Sequence, residues 1–167
     1  LKLKEIIETS NNIVFLGGAG VSTASNIPDF RSSTGLYTGP ELSPEIILSR
    51  EYFFKKPKDF YEFYKNKMIY KDAKPNSTHY ALASLEQSKK LKAVITQNID
   101  GLHQLAGSEN VLELHGSVYR NRCVNCDKFF ELDYIINSQE IPLCDKCHGL
   151  IKPEVVLYGE PLDNNIL

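Results

Sequence analysis

Residues 13–31 read Ile-Val-Phe-Leu-Gly-Gly-Ala-Gly-Val-Ser-Thr-Ala-Ser-Asn-Ile-Pro-Asp-Phe-Arg, and no other stretch restricts the fold as much. Ile13 to Leu16 is a short apolar run of β-branched and aromatic residues, suited to a buried parallel strand. Gly17, Gly18 and Gly20 follow, then small residues. Strand, glycine turn and small-residue helix start is how a doubly wound α/β sheet lets backbone N–H groups approach a diphosphate. The spacing is not Gly-x-Gly-x-x-Gly, because position 23 is Thr. A glycine turn alone is as readily a plain structural turn. Pro28-Asp29-Phe30-Arg31 tips the balance toward ligand binding. An acid, an aromatic ring and a guanidinium side by side just past such a turn serve little purpose in an ordinary loop.

Further strand ends carry polar clusters. Ala93-Val94-Ile95-Thr96 reads as a second buried strand, followed at its carboxyl end by Gln97-Asn98-Ile99-Asp100. Val111 to Leu114 reads as a third strand, ended by His115-Gly116-Ser117. Ligands of open α/β sheets bind outside the carboxyl ends of the strands, so residues 29–31, 97–100 and 115 fall on one edge. A histidine in that position is a candidate base, although a lone histidine there is as often structural.

Between these strands the pattern is helical. Leu3, Ile6 and Ile7 share one helical face, and residues 9–12 stop that helix. Ser43-Pro44-Glu45 reads as an N-cap, a first-turn proline and a first-turn acid, opening a short helix through Leu48. Pro57 opens an aromatic helix bearing Phe60, Tyr61, Phe63, Tyr64 and Met68, a stripe expected in the core. Asn76 caps a further helix with Ala81, Leu82 and Leu85 inward, and His79 in its first turn reads as a structural histidine. Residues 32–40 read as a polar surface loop.

The four cysteines form Cys123-x-x-Cys126 and Cys144-x-x-Cys147, with seventeen residues between the pairs. This is zinc-ribbon spacing. His148 could compete as a ligand, but four thiolates already complete a tetrahedron. A closed site of four thiolates leaves no position for water, so the zinc is expected to be structural. The module from Val118 to Leu150 reads as an insertion in the sheet domain.

Composition removes several classes. With 19 basic and 21 acidic residues the net charge is −2, which argues against non-specific nucleic-acid binding. No apolar run approaches a membrane span, and residues 1–5 hold no signal-peptide core. Cysteines confined to two C-x-x-C pairs point to a reducing, cytoplasmic setting. The absence of an initiator Met predicts that the segment begins inside a longer product. At 167 residues the chain is long enough for a domain with a real core.

Taken together, the motifs resemble the sirtuin family, the NAD-dependent protein-lysine deacylases. The Gly-Ala-Gly-x-Ser turn runs into Ile-Pro-Asp-Phe-Arg, with Asn26 where the family has Gly. Asn tolerates positive φ, so the departure is mild. Thr96 to Gly107 resembles the second family motif, His115-Gly116-Ser117 the third, and the cysteine pairs the fourth. Residues 151–160 resemble the segment Arg-Pro-x-Val-Val-x-Phe-Gly-Glu, with conservative departures at Lys152 and Tyr158. These five motifs stand in the family's order.

The resemblance implies an α/β fold. A Rossmann-like parallel sheet domain, incomplete in this chain, comprises residues 1–35, 73–117 and 151–167. A small domain combines a helical module with a cofactor-binding loop, 36–72, and the zinc module, 118–150. The resemblance implies NAD contacts at Gly18, Ala19, Gly20, Thr23, Asp29, Phe30, Arg31, Gln97, Asn98, Ile99 and Asp100, with the 32–40 loop closing over the cofactor. It makes His115 the catalytic base and gives Val155, Val156 and Tyr158 to an acyl-lysine peptide by strand addition. It places Tyr64 and Lys67 beside the acyl tunnel. The implied reaction transfers the acyl group from lysine to ADP-ribose and releases nicotinamide. The family's later adenosine-binding strands have no counterpart here, so the 167 residues alone are expected to be inactive. Two alternatives stand beside this reading. An NAD-dependent dehydrogenase would need the complete Gly-x-Gly-x-x-Gly, and a non-catalytic zinc-ribbon binding module leaves the polar strand ends unexplained.

Overall fold

The structure is a computed structural model, and it describes residues 2–29 and 43–166. Its helices are α1 Leu3–Thr9, α2 Pro44–Ile47, α3 Arg50–Lys55, α4 Pro57–Lys67, α5 Ser77–Gln87, α6 Leu102–Leu105 and α7 Leu132–Asn137. Its strands are β1 Ile13–Gly17, β2 Leu91–Thr96, β3 Val111–Glu113, β4 Gly116–Cys123, β5 Phe129–Glu131 and β6 Ile151–Val155.

The strands make two sheets. β1, β2 and β3 form a parallel sheet in that order, with Gly17 opposite Thr96 and Thr96 opposite Glu113. The three carboxyl ends are therefore level, as the sequence predicts. The second sheet is antiparallel, in the order β5-β4-β6. The expectation that residues 151–160 resume the parallel sheet is corrected here. Lys152 lies opposite Arg122, and Glu154 accepts hydrogen bonds from both Arg120 and Arg122. A strand whose acid answers two arginines on β4 is held in the second sheet.

Burial follows the same division. Leu82, Leu91 and Val94 form a small core where α5 packs on the parallel sheet. Ala83, not Ala81, accompanies Leu82 on the buried face of α5. The larger core joins the helical module to the second sheet. Phe53, Phe60, Tyr61 and Tyr64 pack with Val118, Phe130, Ile135 and Ile151. Tyr61 and Tyr64 are fully buried, and the Tyr61 hydroxyl donates to the Ile151 carbonyl. The aromatic stripe of α4 is core, as expected, although Phe63 and Met68 lie at its half-buried margin.

Several local expectations are revised. β1 is parallel but not buried, with Val14 and Leu16 exposed on one face. α1 forms but buries no residue, so its apolar face is open among the described residues. Lys90 docks it, donating to the carbonyls of Ile7 and Glu8 at 3.0 and 2.7 Å, where a cation suits the helix C-terminus. After the glycine turn the chain makes two 3₁₀ turns, Ala19–Val21 and Thr23–Ser25, rather than an α-helix. Asn26 then adopts φ 62°, the left-handed conformation that its family counterpart glycine suits. Ser43 holds the N-cap position of α2, but its side chain makes no capping bond. α3 has no clear signal in the sequence and is capped by Ser49, whose Oγ accepts from Tyr52 N.

Candidate active site and metal centre

The carboxyl ends of β1 and β2 are tied together by one polar network. Gln97 N donates to the Gly17 carbonyl at 3.0 Å, locking the two strand ends in register. Asn98 N donates to Thr96 Oγ1 at 3.0 Å, turning the chain out of the sheet. Ser22, on the 3₁₀ turns after β1, donates its hydroxyl to Asp100 Oδ2 at 2.6 Å and accepts from Asn98 Nδ2 at 3.1 Å. Asp100 Oδ1 accepts from Leu102 N at 2.9 Å, capping the short α6. Ser22 is almost wholly buried, whereas Asn98 and Asp100 are half-buried and face the cavity described below. Ser22 is absent from the expected contact residues, although it is the serine of the Gly-Ala-Gly-x-Ser turn. The signal was present in the motif.

His115 is fixed from two sides. Its ring Nδ1 lies 3.0 Å from the Gln97 carbonyl oxygen, and its own carbonyl accepts from Val156 N at 3.0 Å. A carbonyl oxygen only accepts, so Nδ1 carries the proton and Nε2 keeps its lone pair. Gly116 makes the adjoining turn at φ +78°, where an added Cβ would fall 1.8 Å from the Glu154 carbonyl oxygen. Only glycine lets β4 leave His115 and cross β6 so closely.

A cavity of about 590 Å³ opens over these groups. Ala19, Asp29, Gln97, Asn98, Ile99 and Asp100 line it, as do His115, Val155, Val156 and Tyr158. Tyr64 and Lys67 reach it from α4. Ile27, Pro28, Leu48 and Met68 add apolar wall, of which only Pro28 belongs to a cluster the sequence assigns to ligand binding. Gly18, Gly20 and Thr23 sit on the turn outside this lining. Gly18 abuts the Gln97 side chain, and a Cβ at Gly20 would meet nothing within 4 Å among the described residues. Phe30, Arg31 and the 32–40 loop lie outside the described residues.

Behind the network is a buried histidine pair. The rings of His79 and His103 lie 4.7 Å apart at 60°. His79 Nδ1 accepts from Asn76 N at 3.2 Å, the local bond expected of a structural histidine. Asn76 in turn donates through Nδ2 to the Val21 carbonyl and Ser25 Oγ, at 2.8 and 2.9 Å. Burial lowers the pKa of both histidines. For His103 burial and the neighbouring His79 bring it to about 4, against an opposing pull from Asp100.

The four cysteine thiols converge on one point. Their sulfurs all lie within 4.8 Å of one another, with Cys123–Cys147 at 3.4 Å and Cys126–Cys144 at 3.6 Å. Thiolates around a tetrahedral zinc at ~2.3 Å stand about 3.8 Å apart, so the set fits that ion. Backbone N–H groups of Asn125 and Lys146 donate to the sulfurs of Cys123 and Cys144, as is suitable for thiolates. NAD also fits the residues at hand. The glycine turn after β1 offers backbone N–H groups of the kind that would take a diphosphate, while Asn98 and Asp100 offer amide and carboxylate groups beside the apolar Ile27 and Ile99.

Fold and site thus define an α/β protein with a dinucleotide-type cavity joined to a structural metal module. The chain belongs to the Sir2 family, whose model matches residues 18–167. It is 63% identical over 165 residues to the NAD-dependent protein deacetylase of Clostridium tetani, covering 96% of this chain and 67% of that protein. It is 60% identical over 170 residues to the corresponding Clostridium acetobutylicum deacetylase, covering 99% of this chain and 69% of that protein. A solved Sir2 variant with deacetylated p53 peptide and 3′-O-acetyl ADP-ribose superposes with a TM-score of 0.89 at 41% identity, over 99% of this chain and 69% of that one. A Sir2 complex with p53 peptide and NAD+ gives 0.83 at 42% identity, over 99% and 68%. The chain spans about two thirds of the length of these relatives.

Proposed function

We propose that this chain supplies the acyl-lysine and nicotinamide-ribose side of an NAD-dependent protein-lysine deacetylase. The observation that carries the reading is the 3.0 Å approach of His115 Nδ1 to the Gln97 carbonyl oxygen, which turns Nε2 to the proton-accepting role. Its Nδ1–H is committed to Gln97, and its residue lines the same cavity as Asp100, Val155 and Tyr158.

Bound NAD would supply a glycosidic carbon that accepts the acyl oxygen as nicotinamide leaves. The chain's own residues do the rest. Asn98 and Asp100 orient the carboxamide and ribose, held in place by Ser22, while Ile99 packs on the ring. The turn at Gly18, Ala19, Gly20 and Thr23 takes the diphosphate through its backbone. Asp29, with Phe30 and Arg31, completes the cofactor side. Val155, Val156 and Tyr158 hold the peptide and aim its acyl-lysine at His115. His115 Nε2 then takes a ribose hydroxyl proton, the task its free lone pair suits. The ribose oxygen freed of its proton would then attack the amide-derived carbon, and water would complete the release of lysine and an O-acyl-ADP-ribose.

The remaining assignments are part of the same reading. The parallel sheet with α5 forms the cofactor domain, and the helical and metal modules form the small domain. The thiolate metal site supports a reducing, cytoplasmic setting, and the balanced charge supports a peptide partner over nucleic acid. No helix among the described residues is long and apolar enough to cross a membrane. The test is nicotinamide release from NAD by the full-length protein, with and without an acetyl-lysine peptide. Peptide-dependent release, reduced by about two or more orders of magnitude in His115→Ala, is expected. Release that ignores the peptide, or a variant with unchanged turnover, overturns the reading.

A further inference from the structure

Beside the cavity lies a second, open groove of about 890 Å³. One wall is the exposed side of α3, with Arg50, Glu51, Phe54 and Lys55. The other is Tyr158-Gly159, which also lines the cavity. A polypeptide leaving the cavity across this shared wall enters the groove directly. The wall is firmly placed, since Arg50 N donates to the Tyr158 carbonyl at 2.9 Å and Tyr158 N to the Leu48 carbonyl at 3.0 Å. Gly159 presents bare backbone, with no atom of the described residues within 4 Å of a Cβ position.

The groove is cationic over an aromatic floor. Phe54 is 46% exposed, and the Arg50 guanidinium lies 5.2 Å above its ring. Among the described residues the carboxylate nearest Arg50, that of Glu160, stands 4.0 Å away. Glu160 is otherwise engaged, receiving Lys152 Nζ at 3.0 Å and Leu157 N at 2.9 Å. Lys55 is exposed and has no ion-pair partner among the described residues. Glu51 also lines the groove, one turn before Lys55, yet forms no ion pair with it. The lining itself sets Arg50 and Lys55 against Glu51, and Glu160, shared with Lys152, only partly answers Arg50, which leaves a positive balance. Such a surface around an exposed ring suits an incoming carboxylate, which can meet a guanidinium already oriented by its stacking.

We propose that this groove is a subsite for the polypeptide flanking the acyl-lysine, and that it favours substrates with an aspartate or glutamate within a few residues of that lysine. The proposal rests on the deacetylase reading for its occupant. The experiment compares acetyl-lysine peptides that differ only in one flanking residue, Glu, Ala or Lys, scanned on both sides. Binding to the full-length protein is measured by fluorescence anisotropy, and turnover by nicotinamide release. At low salt the Glu peptide should bind about three- to tenfold tighter than the Ala peptide at one or more positions, with the Lys peptide weakest. The ratio should shrink at high salt. It should vanish in Arg50→Ala/Lys55→Ala and invert in Lys55→Glu. Both residues are exposed, and a thermal melt of each variant checks folding. Equal affinity for the three peptides at every position overturns the proposal, as does a preference that survives the double substitution. A clear affinity ratio without turnover of any peptide would instead keep the groove and overturn the deacetylase reading.

Discussion

The Ser22 hydroxyl donates to the Asp100 carboxylate at 2.6 Å, across 78 positions of sequence. This bond joins the turn after the first strand to the loop after the second. It also brings Asn98 into the cluster through its bond to the same Ser22 oxygen. The two halves of the cofactor wall are thus one unit.

Ser22→Ala should break that unit. Asp100 Oδ2 and Asn98 Nδ2 would each lose a partner in a half-buried site, at a cost of about 1 kcal/mol for each. The expected outcome is a fall in kcat/KM for NAD of roughly one to two orders of magnitude, with a smaller fall in melting temperature. Steady-state kinetics with NAD as the varied substrate, alongside calorimetry, checks both. Wild-type kcat/KM would show that Asp100 is held by Leu102 N alone.

The His79–His103 pair should make stability depend on pH. His103 titrates near 4 in the folded chain, below the ordinary 6.5, and burial lowers His79 as well. The unfolded chain therefore binds more protons between these values, and stability rises with pH across that window. Its contribution is complete above about 6.5 and is lost as the pH falls toward 4, on the order of 1–3 kcal/mol. Urea unfolding of wild type and His103→Leu from pH 7.5 to 4.5 checks the sign. The variant should have the shallower pH dependence, and identical slopes would refute the assignment.

Much of this architecture was legible in the sequence. The parallel strands carry compact apolar runs, and each is followed at once by the polar residues that line the cavity. The cysteine spacing alone located the metal centre. What the sequence hid is explained by partners distant along the chain. β6 carries the alternation of any half-buried strand, and its pairing in the second sheet comes from a ladder with β4 and from Glu154 meeting Arg120 and Arg122, all more than 25 positions away in sequence. α3 is short and aromatic, and its position is fixed by backbone bonds to Tyr158 rather than by a strong pattern. Ser22 looks like one more small residue of a glycine turn until Asp100 is brought beside it. Val14 and Leu16 read as buried because apolar runs usually are, yet no described element covers that face.

Metal removal should cost the fold as well as the metal. Cys123 and Cys144 are themselves buried in the core that holds Phe60, Tyr64, Phe130 and Ile151. Losing the ion leaves four thiols crowded at one point of that core, and binding energy at such a site is folding energy. Replacing any one of Cys123, Cys126, Cys144 or Cys147 with Ser should lower stability by about 3 kcal/mol or more and reduce bound zinc together. Metal analysis paired with chemical denaturation checks this. Full activity in a folded, chelator-stripped protein would show that the metal is dispensable.

The acyl preference should follow from Tyr64 and Lys67. Both border the cavity from α4, one turn apart, yet their settings are opposite. Tyr64 is fully buried in the aromatic core, and its hydroxyl finds no hydrogen-bond partner among the described residues. Burial also raises its pKa well above the ordinary value, so it is a neutral phenol at any working pH. Lys67 is exposed at the rim, where its ammonium stays hydrated. An acidic acyl chain such as succinyl would need a charged fork reaching inward, and an arginine supplies two parallel hydrogen bonds that a lysine does not. Drawing Lys67 inward would strip water from a compact charge for one poorly matched contact. Leu48, Met68 and Ile99 add only apolar surface around it. The full-length enzyme should therefore prefer acetyl to succinyl on the same peptide by at least about tenfold in kcat/KM. Lys67→Arg should narrow that gap from the succinyl side, while Tyr64→Phe should leave the acetyl rate close to wild type. Specificity constants for both acyl groups across the three proteins decide the matter. A wild-type preference for succinyl would mean that Lys67 reaches the carboxylate after all.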